Sequence, residues 1–325
     1  MALQRPLHIV IPGGTGHIGT LLARHFHEQG HMVTVIARFP KACEWQMVHW
    51  DGLEMGPWAE TLDGADVVIN LAGRNVNCRY SAANQRLIRH SRIFTTALVG
   101  QAIARAAKPP RLWMNASSAT IYRHSLDRGM DETGELGGNE PNVPSTWRFS
   151  IDVVKDWERA FFAAHAPQTR KIALRSAIIM SPDAGGAFDT LLRLVRWGFG
   201  GQSGSGRQYV SWIHDVDFIR AVEFLIERED FEGAVNIASP CPLPNREFMC
   251  CLRRAWCTSY IGIPAAEWML AIGAIFLRTE TELVLKSRRV VPGRLRDANF
   301  EFHFPNWRGA CQNLVARWRS LHLED

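Results

Sequence analysis

A glycine-rich stretch near the N-terminus restricts the fold more than any other feature of the sequence. Residues 13–19 read Gly-Gly-Thr-Gly-His-Ile-Gly and follow a short apolar run at residues 7–12. Apolar side chains at helical spacing come next, Gly30 ends that pattern, and a second apolar run, rich in β-branched residues, occupies residues 32–37. Strand, glycine turn, helix and strand in this order predict a βαβ unit, the building block of a parallel sheet.

The spacing of the glycines in this turn predicts a dinucleotide site. Gly13, Gly16 and Gly19 allow a tight turn and a close approach of the backbone, while the free N–H groups at the start of the helix receive a pyrophosphate. The strand, the helix and the second strand all fall where this motif requires them. A dinucleotide site is therefore favoured over a glycine-rich turn that binds nothing.

The residue at the end of the second strand indicates which dinucleotide is preferred. An NAD site places an acidic residue there, about 20 residues past the glycines, to bind the ribose 2′-hydroxyl. This chain has Arg38 there, 19 residues past Gly19. Because an arginine pairs with a 2′-phosphate, NADP(H) is the predicted cofactor. Lys41 either adds to the positive field or is an ordinary solvated lysine.

The alternation of strand-like and helix-like segments continues over roughly the first 240 residues. It predicts an α/β fold, a Rossmann-type doubly wound parallel sheet, with a smaller, mostly helical C-terminal part on the substrate side. The predicted NADP-binding domain is residues 1–180 plus about 209–238, and the C-terminal domain is residues 181–208 and 239–325. Further strands are predicted at residues 66–71, 112–117, 171–176 and 209–213, helices at 81–107 and 151–164, and a long surface loop at 123–145.

Composition and charge exclude several other classes of protein. The 37 Lys and Arg are interleaved with 32 Asp and Glu, which argues against a nucleic-acid partner. The longest apolar run, residues 268–277, is shorter than the roughly 17 to 25 residues that cross a membrane, so we expect a core helix and no membrane partner. The N-terminal apolar run is too short for a signal peptide, which predicts a cytoplasmic protein. Seven Cys without a Cys-x-x-Cys pair predict neither disulfides nor a metal site.

Motifs spread over nearly the whole chain resemble one family. They are residues 13–19, Asn70-Leu71-Ala72-Gly73, Ser91-Arg92 with Thr95-Thr96, Ser117-Ser118-Ala119, Asp156-Trp157-Glu158, Gly204-Ser205-Gly206-Arg207-Gln208, Ser211-Trp212-Ile213-His214 and the tail at 289–302. The sequence resembles the extended short-chain dehydrogenase/reductase superfamily, and within it the atypical group of epimerase family proteins with a C-terminal domain of unknown function, DUF1731. The dinucleotide loop occurs in many families, whereas the motifs at 204–208 and 211–214 are specific to this group.

The resemblance implies a Rossmann domain that binds NADP(H) and a small-molecule substrate of unknown identity in the cleft under the C-terminal part. It implies an oxidoreductase or epimerase reaction, since related enzymes act on nucleotide sugars. Such enzymes often dimerise through their long helices, which leaves monomer and homodimer open here. The implied cofactor residues are Gly13, Thr15, Gly16, His17, Ile18 and Gly19 at the pyrophosphate, Arg38 at the 2′-phosphate, and Leu71, Ala72 and Gly73 on the adenosine side.

The catalytic pair of the superfamily is absent from this sequence. In the superfamily, a Tyr and a Lys four residues later exchange a proton with the substrate as hydride moves at the nicotinamide. On the corresponding helix of this chain, Phe149 or Ser150 replaces the Tyr and a valine replaces the Lys. Asn, Leu, Ile and Pro stand four residues after the tyrosines Tyr80, Tyr122, Tyr209 and Tyr260. Neither phenylalanine nor valine can move a proton.

Four residues remain as candidates for the chemistry. Ser118 matches the hydroxyl that orients the substrate carbonyl in the superfamily, and Tyr122 is either a general acid or a half-buried packing aromatic. Histidine side chains in general can exchange protons near neutral pH, so His214 is a candidate for catalysis or substrate binding, unless a neighbouring aspartate simply holds it in place. Arg207 either binds an anionic group of the substrate or is a solvated loop residue.

Two functions fit these observations. In the first, the chain is an NADP-dependent oxidoreductase or epimerase whose acid/base group lies outside the usual pair. In the second, it is a catalytically silent NADP-binding regulatory module, for example in cell division, since some members of the group carry a cell-division-inhibitor label. The absent pair favours the second function or an unusual substrate, and the retained Ser118 favours a ligand in the cleft.

Overall fold

The computed structural model of the chain describes residues 5–256, 262–266 and 280–322. The strands in chain order are β1 His8–Pro12, β2 Met32–Ala37, β3 Gln46–His49, β4 Val67–Asn70, β5 Leu112–Ser118, β6 Arg170–Ser176, β7 Ile178–Met180, β8 Tyr209–Val210, β9 Trp212–His214, β10 Gly233–Ile237 and β11 Leu243–Pro244. Seven of them form one parallel sheet in the order β3-β2-β1-β4-β5-β6-β10. This confirms the predicted Rossmann-type sheet.

Helices cover both faces of this sheet and also form much of the C-terminal part. They are α1 His17–Glu28, α2 Ala82–Arg105, α3 Ser145–Ala163, α4 Ala187–Arg196, α5 Asp215–Glu227, α6 Asn245–Trp256, α7 Glu282–Leu285, α8 Gly293–Asp297 and α9 Trp307–His322, with short 3-10 helices at Pro57–Leu62 and Ala119–Ile121. Ile9 and Ile11 of β1 belong to the apolar cluster of α1 and α5, whereas Val10 belongs to that of α2 and α3. Successive side chains of a strand point to opposite faces, so the sheet is buried on both sides.

The strand order places a crevice at the carboxyl ends of two neighbouring strands. The chain adds strands on one side of β1 up to β3, then returns to the other side with β4, β5 and β6. The connections after β1 and β4 therefore diverge. In open parallel sheets, ligands bind in the crevice at such a reversal point.

Most predicted elements are present, with ends shifted by a few residues. β2 has the predicted bounds, Ser81 caps α2 by accepting the N–H of Asn84, and Gly30 follows α1 with φ 80°. The sequence patterns do not predict β3, a four-residue edge strand without an apolar run, or α4. The predicted strand at 209–213 is divided into β8, which pairs with β11, and β9, which pairs with β7. The run at 268–277 and Tyr260 lie outside the described residues.

The C-terminal part has an apolar cluster of its own. α4, α6 and α9 pack there against the small sheet of β7 and β9, around Trp212, Phe248 and Trp307. The rings of Phe248 and Trp307 stack with centroids 4.0 Å apart. This part is mostly helical, as predicted, while the domain boundaries stay a prediction. Within the ranges that the structure describes, every helix is too short or too polar to cross a membrane.

Candidate functional site

The glycine turn between β1 and α1 forms the floor of the crevice. Gly13 has φ 77°, and a Cβ there would lie 2.6 Å from the Cα of Ala72 after β4. A Cβ on Gly19 would lie 2.4 Å from the Cα of Gly14, so α1 packs closely against the turn. Both positions require glycine for reasons of packing.

Gly16 occupies a different environment from the other glycines of the turn. It is the N-cap of α1, it is exposed, and a Cβ there would meet nothing closer than 3.9 Å. No side chain caps the helix, and the first turn carries no acidic residue. The N–H groups at this helix start therefore face open space, which is the arrangement that a pyrophosphate requires.

The remaining loop residues lie around this helix start. Thr15 is exposed, and His17 and Ile18 are partly buried. The Nε2 atom of His17 is buried without a hydrogen-bond partner among the described residues. The His17 ring packs against Gly186, the N-cap of α4, where a Cβ would lie 2.8 Å from the ring. No local sequence pattern associates α4 with the cofactor loop, because this contact joins residues that are far apart in the chain.

Arg38 lies at the end of β2, one strand away from the glycine turn. It is exposed, and its guanidinium carbon is 5.9 Å from the centroid of the Phe39 ring, which is 75% exposed. Among the described residues, no carboxylate forms an ion pair with Arg38. Lys41 is exposed nearby in the sequence. The guanidinium is thus free to pair with a phosphate at this edge of the sheet.

The segment after β4 lies directly beside the glycine turn. Asn70 is fully buried and donates to Thr96 and to Asn115, and its Oδ1 accepts the N–H of Ala72. The N–H of Leu71 donates to the carbonyl oxygen of Pro12. These bonds hold residues 71–73 against the turn. The structure therefore brings together all the residues for which a cofactor contact was expected.

Ser118 ends β5, the strand next to β4. Its Oγ accepts the N–H of Thr120 at 3.2 Å and caps the 3-10 helix Ala119–Ile121. The side chain is partly exposed. A hydroxyl that accepts one bond can still donate its proton, so Ser118 is oriented and has a proton to offer to a ligand.

Tyr122 lies deeper and is part of a buried polar network. Its hydroxyl donates to Oδ1 of Asn236 at 2.8 Å and accepts from Nη1 of Arg175 at 2.9 Å. The ring is 1% exposed. Burial raises the pKa of Tyr122, and the charge of Arg175 only partly opposes this. The surroundings match the second interpretation, a packing aromatic; the acid role stays a prediction.

His214 and Arg207 lie at the two ends of the segment that contains β8 and β9. His214 is fully buried and caps α5, with Nδ1 accepting the N–H of Val216 at 3.2 Å and Nε2 lying 3.1 Å from Oδ1 of Asn313. Its ring stacks on Phe304. Nδ1 also lies 2.9 Å from Oδ1 of Asp215, so a neighbouring aspartate contacts the ring and both ring nitrogens have protein partners. Arg207 is exposed on the loop before β8.

The place where α3 would carry the catalytic pair is filled by apolar and aromatic side chains. Phe149 and Val153 pack with Tyr80 and Ile88, and the rings of Phe149 and Tyr80 are 5.1 Å apart. The Tyr80 hydroxyl accepts from Ser150 Oγ at 3.4 Å. Burial raises the pKa of Tyr80.

The C-terminal segment brings buried charges to the turn after Ser118. Lys286 Nζ donates to the carbonyl oxygen of Thr120 at 2.6 Å, and Arg288 Nε donates to its hydroxyl at 3.0 Å. Arg288 also pairs with Glu282. No local sequence pattern points to these residues. Their partners in the cleft lie more than 160 residues away in the chain.

Lys286 is expected to make the stability of the protein rise with pH. Burial and the charge of Arg288 lower its pKa from 10.5 to about 7, although Glu282 and Glu140 oppose this. Between these values the unfolded chain binds the proton and the folded one does not. The free energy of unfolding should therefore rise there, by up to about 1.4 kcal/mol per pH unit. Urea unfolding of the native protein and of Lys286→Met from about pH 7 to 9.5 measures this; a constant difference between the two would contradict it.

Comparison with known proteins identifies the family. Residues 9–144 match the NAD dependent epimerase/dehydratase family, and residues 265–314 match the domain of unknown function DUF1731. The epimerase family protein SDR39U1 of Homo sapiens is 30% identical over 320 residues, which are 95% of this chain and 100% of the human protein. The chain belongs to this epimerase family. The resemblance drawn from its motifs is confirmed.

Other relatives of this epimerase family protein extend the comparison. The epimerase family protein MT2273 of Mycobacterium tuberculosis is 32% identical over 300 residues, 91% of this chain and 93% of that protein. The crystal structure of human SDR39U1 isoform 2 with NADPH superimposes with a TM-score of 0.83 at 28% identity and covers 95% of this chain and 99% of that one. UDP-N-acetylglucosamine 4-epimerase from Bacillus cereus shares the fold alone, with a TM-score of 0.73 at 16% identity over 98% of both chains.

Proposed function

We propose that this epimerase family protein is an NADP(H)-dependent oxidoreductase or epimerase that acts on a small molecule. The observation that carries the proposal is the combination of an open helix start at Gly16 with the free guanidinium of Arg38 at the end of the next strand. Together they fit the pyrophosphate and the 2′-phosphate of one cofactor. The human relative, whose crystal structure contains NADPH, supports this choice.

The proposed chemistry takes place at the carboxyl ends of β4 and β5. Bound NADP(H) supplies the hydride or accepts it. Ser118 donates its hydroxyl proton in a hydrogen bond to the substrate carbonyl oxygen, because the N–H of Thr120 holds its Oγ in place. Arg207 is exposed and matches a carboxylate or phosphate on the substrate. Tyr122 and His214 stay candidates for acid/base catalysis or substrate binding. The variants Tyr122→Phe and His214→Ala test these roles.

The cofactor assignment is tested by replacing Arg38 with alanine. We expect NADPH affinity to fall about 10- to 100-fold and NADH affinity to change less than about twofold, because a charge-assisted bond to the 2′-phosphate contributes roughly 1.5 to 3 kcal/mol. Calorimetric titration measures both. Lys41→Ala removes a nearby exposed cation and should change either affinity less than about threefold. Equal binding of NADPH and NADH by the native protein would refute the role of Arg38.

A further inference from the structure

Arg92 on α2 is a partly buried arginine without an acidic partner. Its Nη1 donates to the carbonyl oxygen of Ile88 at 3.1 Å, one turn back on the same helix. Its guanidinium carbon lies 5.2 Å from the centroid of the Trp157 ring on α3. Among the described residues no carboxylate pairs with it, and burial lowers its pKa to about 10, so it stays charged at neutral pH. A guanidinium carries five donors, and the one carbonyl bond leaves most of them for a ligand.

The guanidinium lies at the carboxyl edge of the sheet. A Cβ placed on Gly73 would lie 3.4 Å from Cγ and from Cζ of Arg92. β4 and β5 are neighbouring strands, with Asn70 paired to Asn115, so Gly73 and Ser118 lie at the carboxyl ends of adjacent strands. Neighbouring strands are about 4.8 Å apart. Arg92 and Ser118 therefore border the same cleft.

The strand order determines which half of the cofactor reaches Arg92. Arg38 ends β2, the glycine turn follows β1, and Gly73 follows β4, and these strands are consecutive neighbours in the sheet. A cofactor with its 2′-phosphate at Arg38 and its pyrophosphate at the start of α1 continues toward β4 and β5. Its nicotinamide half therefore lies on the far side of residues 71–73, which the resemblance places along the adenosine, and Arg92 lies next to the last of these, Gly73.

The same region lacks the lysine of the superfamily. Val153, which stands in its place if Phe149 replaces the tyrosine, is 3% exposed and packs against Ile88 and Tyr80. Ile88 is the residue whose carbonyl holds Arg92. Ile88 thus links the guanidinium of Arg92 on α2 to the place of the missing lysine on α3.

We propose that Arg92 supplies a cation to the cofactor side of this cleft, where the lysine of the superfamily is missing, and that it binds the ribose and phosphate oxygens of the nicotinamide half of NADP(H). The inference rests on the proposed function, since it assumes that the cofactor lies across the ends of β2, β1 and β4. It adds a cofactor contact on the long helix α2, beyond the glycine turn and Arg38. It also gives the cleft a fixed positive charge close to where hydride moves.

The test compares two ligands by calorimetry. NADPH has both halves of the cofactor, whereas adenosine 2′,5′-bisphosphate lacks the nicotinamide half. Arg92→Met should weaken NADPH binding about 10-fold or more and change binding of the bisphosphate less than twofold. Arg38→Ala should weaken both. Arg89→Met is the matched control, because Arg89 is exposed on the same helix and pairs with Asp156, and it should change neither affinity.

The outcomes separate this inference from the proposed function. Suppose that the native protein binds NADPH, and that Arg92→Met either binds NADPH equally well or loses affinity for both ligands alike. Arg92 then does not bind the nicotinamide half, and the proposed function stands. If the native protein does not bind NADPH, the proposed function and the inference fall together. If Arg92→Met does not fold, Arg92→Lys is the second variant. It keeps the positive charge and loses the forked donors of the guanidinium. For Arg92→Lys, a loss of NADPH affinity of about threefold or more with unchanged bisphosphate affinity supports the proposal. Unchanged NADPH affinity overturns it.

Discussion

Replacing Gly16 by valine is expected to abolish NADPH binding in a protein that stays folded. Gly16 has φ −74° and ψ 170°, which valine adopts without strain, and its side-chain position is open. The added side chain would stand in front of the N–H groups at the start of α1, where we place the pyrophosphate. We expect NADPH affinity to fall at least about 100-fold, while Tm falls by no more than about 4 °C for the poorer N-cap. Calorimetry and thermal unfolding monitored by circular dichroism measure the two effects.

Gly19→Ala is the matched comparison within the same turn. Its Cβ would lie 2.4 Å from the Cα of Gly14, and backbone cannot move aside as a flexible side chain can. This smaller substitution should therefore cost about 1 to 3 kcal/mol of stability, the range for overpacking a core. If Gly16→Val bound NADPH like the native protein, the cofactor would not lie at this helix start.

Replacing Glu158 by leucine is expected to destabilise the fold by about 3 to 5 kcal/mol. Glu158 accepts from Nε and Nη2 of Arg175, each at 2.8 Å, and from the hydroxyl of Ser117 at 2.6 Å. The side chains of Arg175 and Glu158 are only 9% and 10% exposed. Leucine would leave the Arg175 guanidinium buried without its counter-charge. Removing one partner of a buried ion pair destabilises a protein more than replacing both partners. Urea unfolding measures the loss.

Two controls identify the cause of that loss. Asp230→Ala removes one partner of the exposed Arg228–Asp230 pair and should cost less than about 1 kcal/mol. Glu158→Leu combined with Arg175→Met removes both buried charges and should recover part of the stability. A loss below about 1 kcal/mol for Glu158→Leu would show that the buried network contributes little to the fold.

The cofactor half of the site follows from local sequence patterns. The glycine turn, the run of β2 and the arginine at its end lie within about 30 residues, and each conformation there depends on residues close in sequence. Gly30 and Ser81 likewise end and start helices through contacts with near neighbours. The sheet and the first cofactor contacts could therefore be predicted before the structure was known.

The catalytic half depends on contacts between distant parts of the chain. The position of His214 depends on Asn313 and Phe304, and that of Tyr122 on Arg175 and Asn236. No local pattern reports such partners, so the sequence alone could not decide between catalytic and packing roles. The same holds for Lys286, whose partner Thr120 is 166 residues away. A buried charge near a cleft becomes visible only once the fold has brought these segments together.

The proposed function requires that this protein use NADPH for chemistry without a Tyr-x-x-x-Lys pair. The most direct measurement is single-turnover oxidation of bound NADPH, followed at 340 nm, with a panel of aldehydes, 2-oxo acids and keto-sugar nucleotides. We predict that the native protein oxidises NADPH with at least one of these carbonyl compounds. Ser118→Ala should bind NADPH equally well and react about 100-fold more slowly, as when one donor to a reacting oxygen is removed. Tight NADPH binding without oxidation by any carbonyl compound would contradict the claim and identify a binding module without turnover.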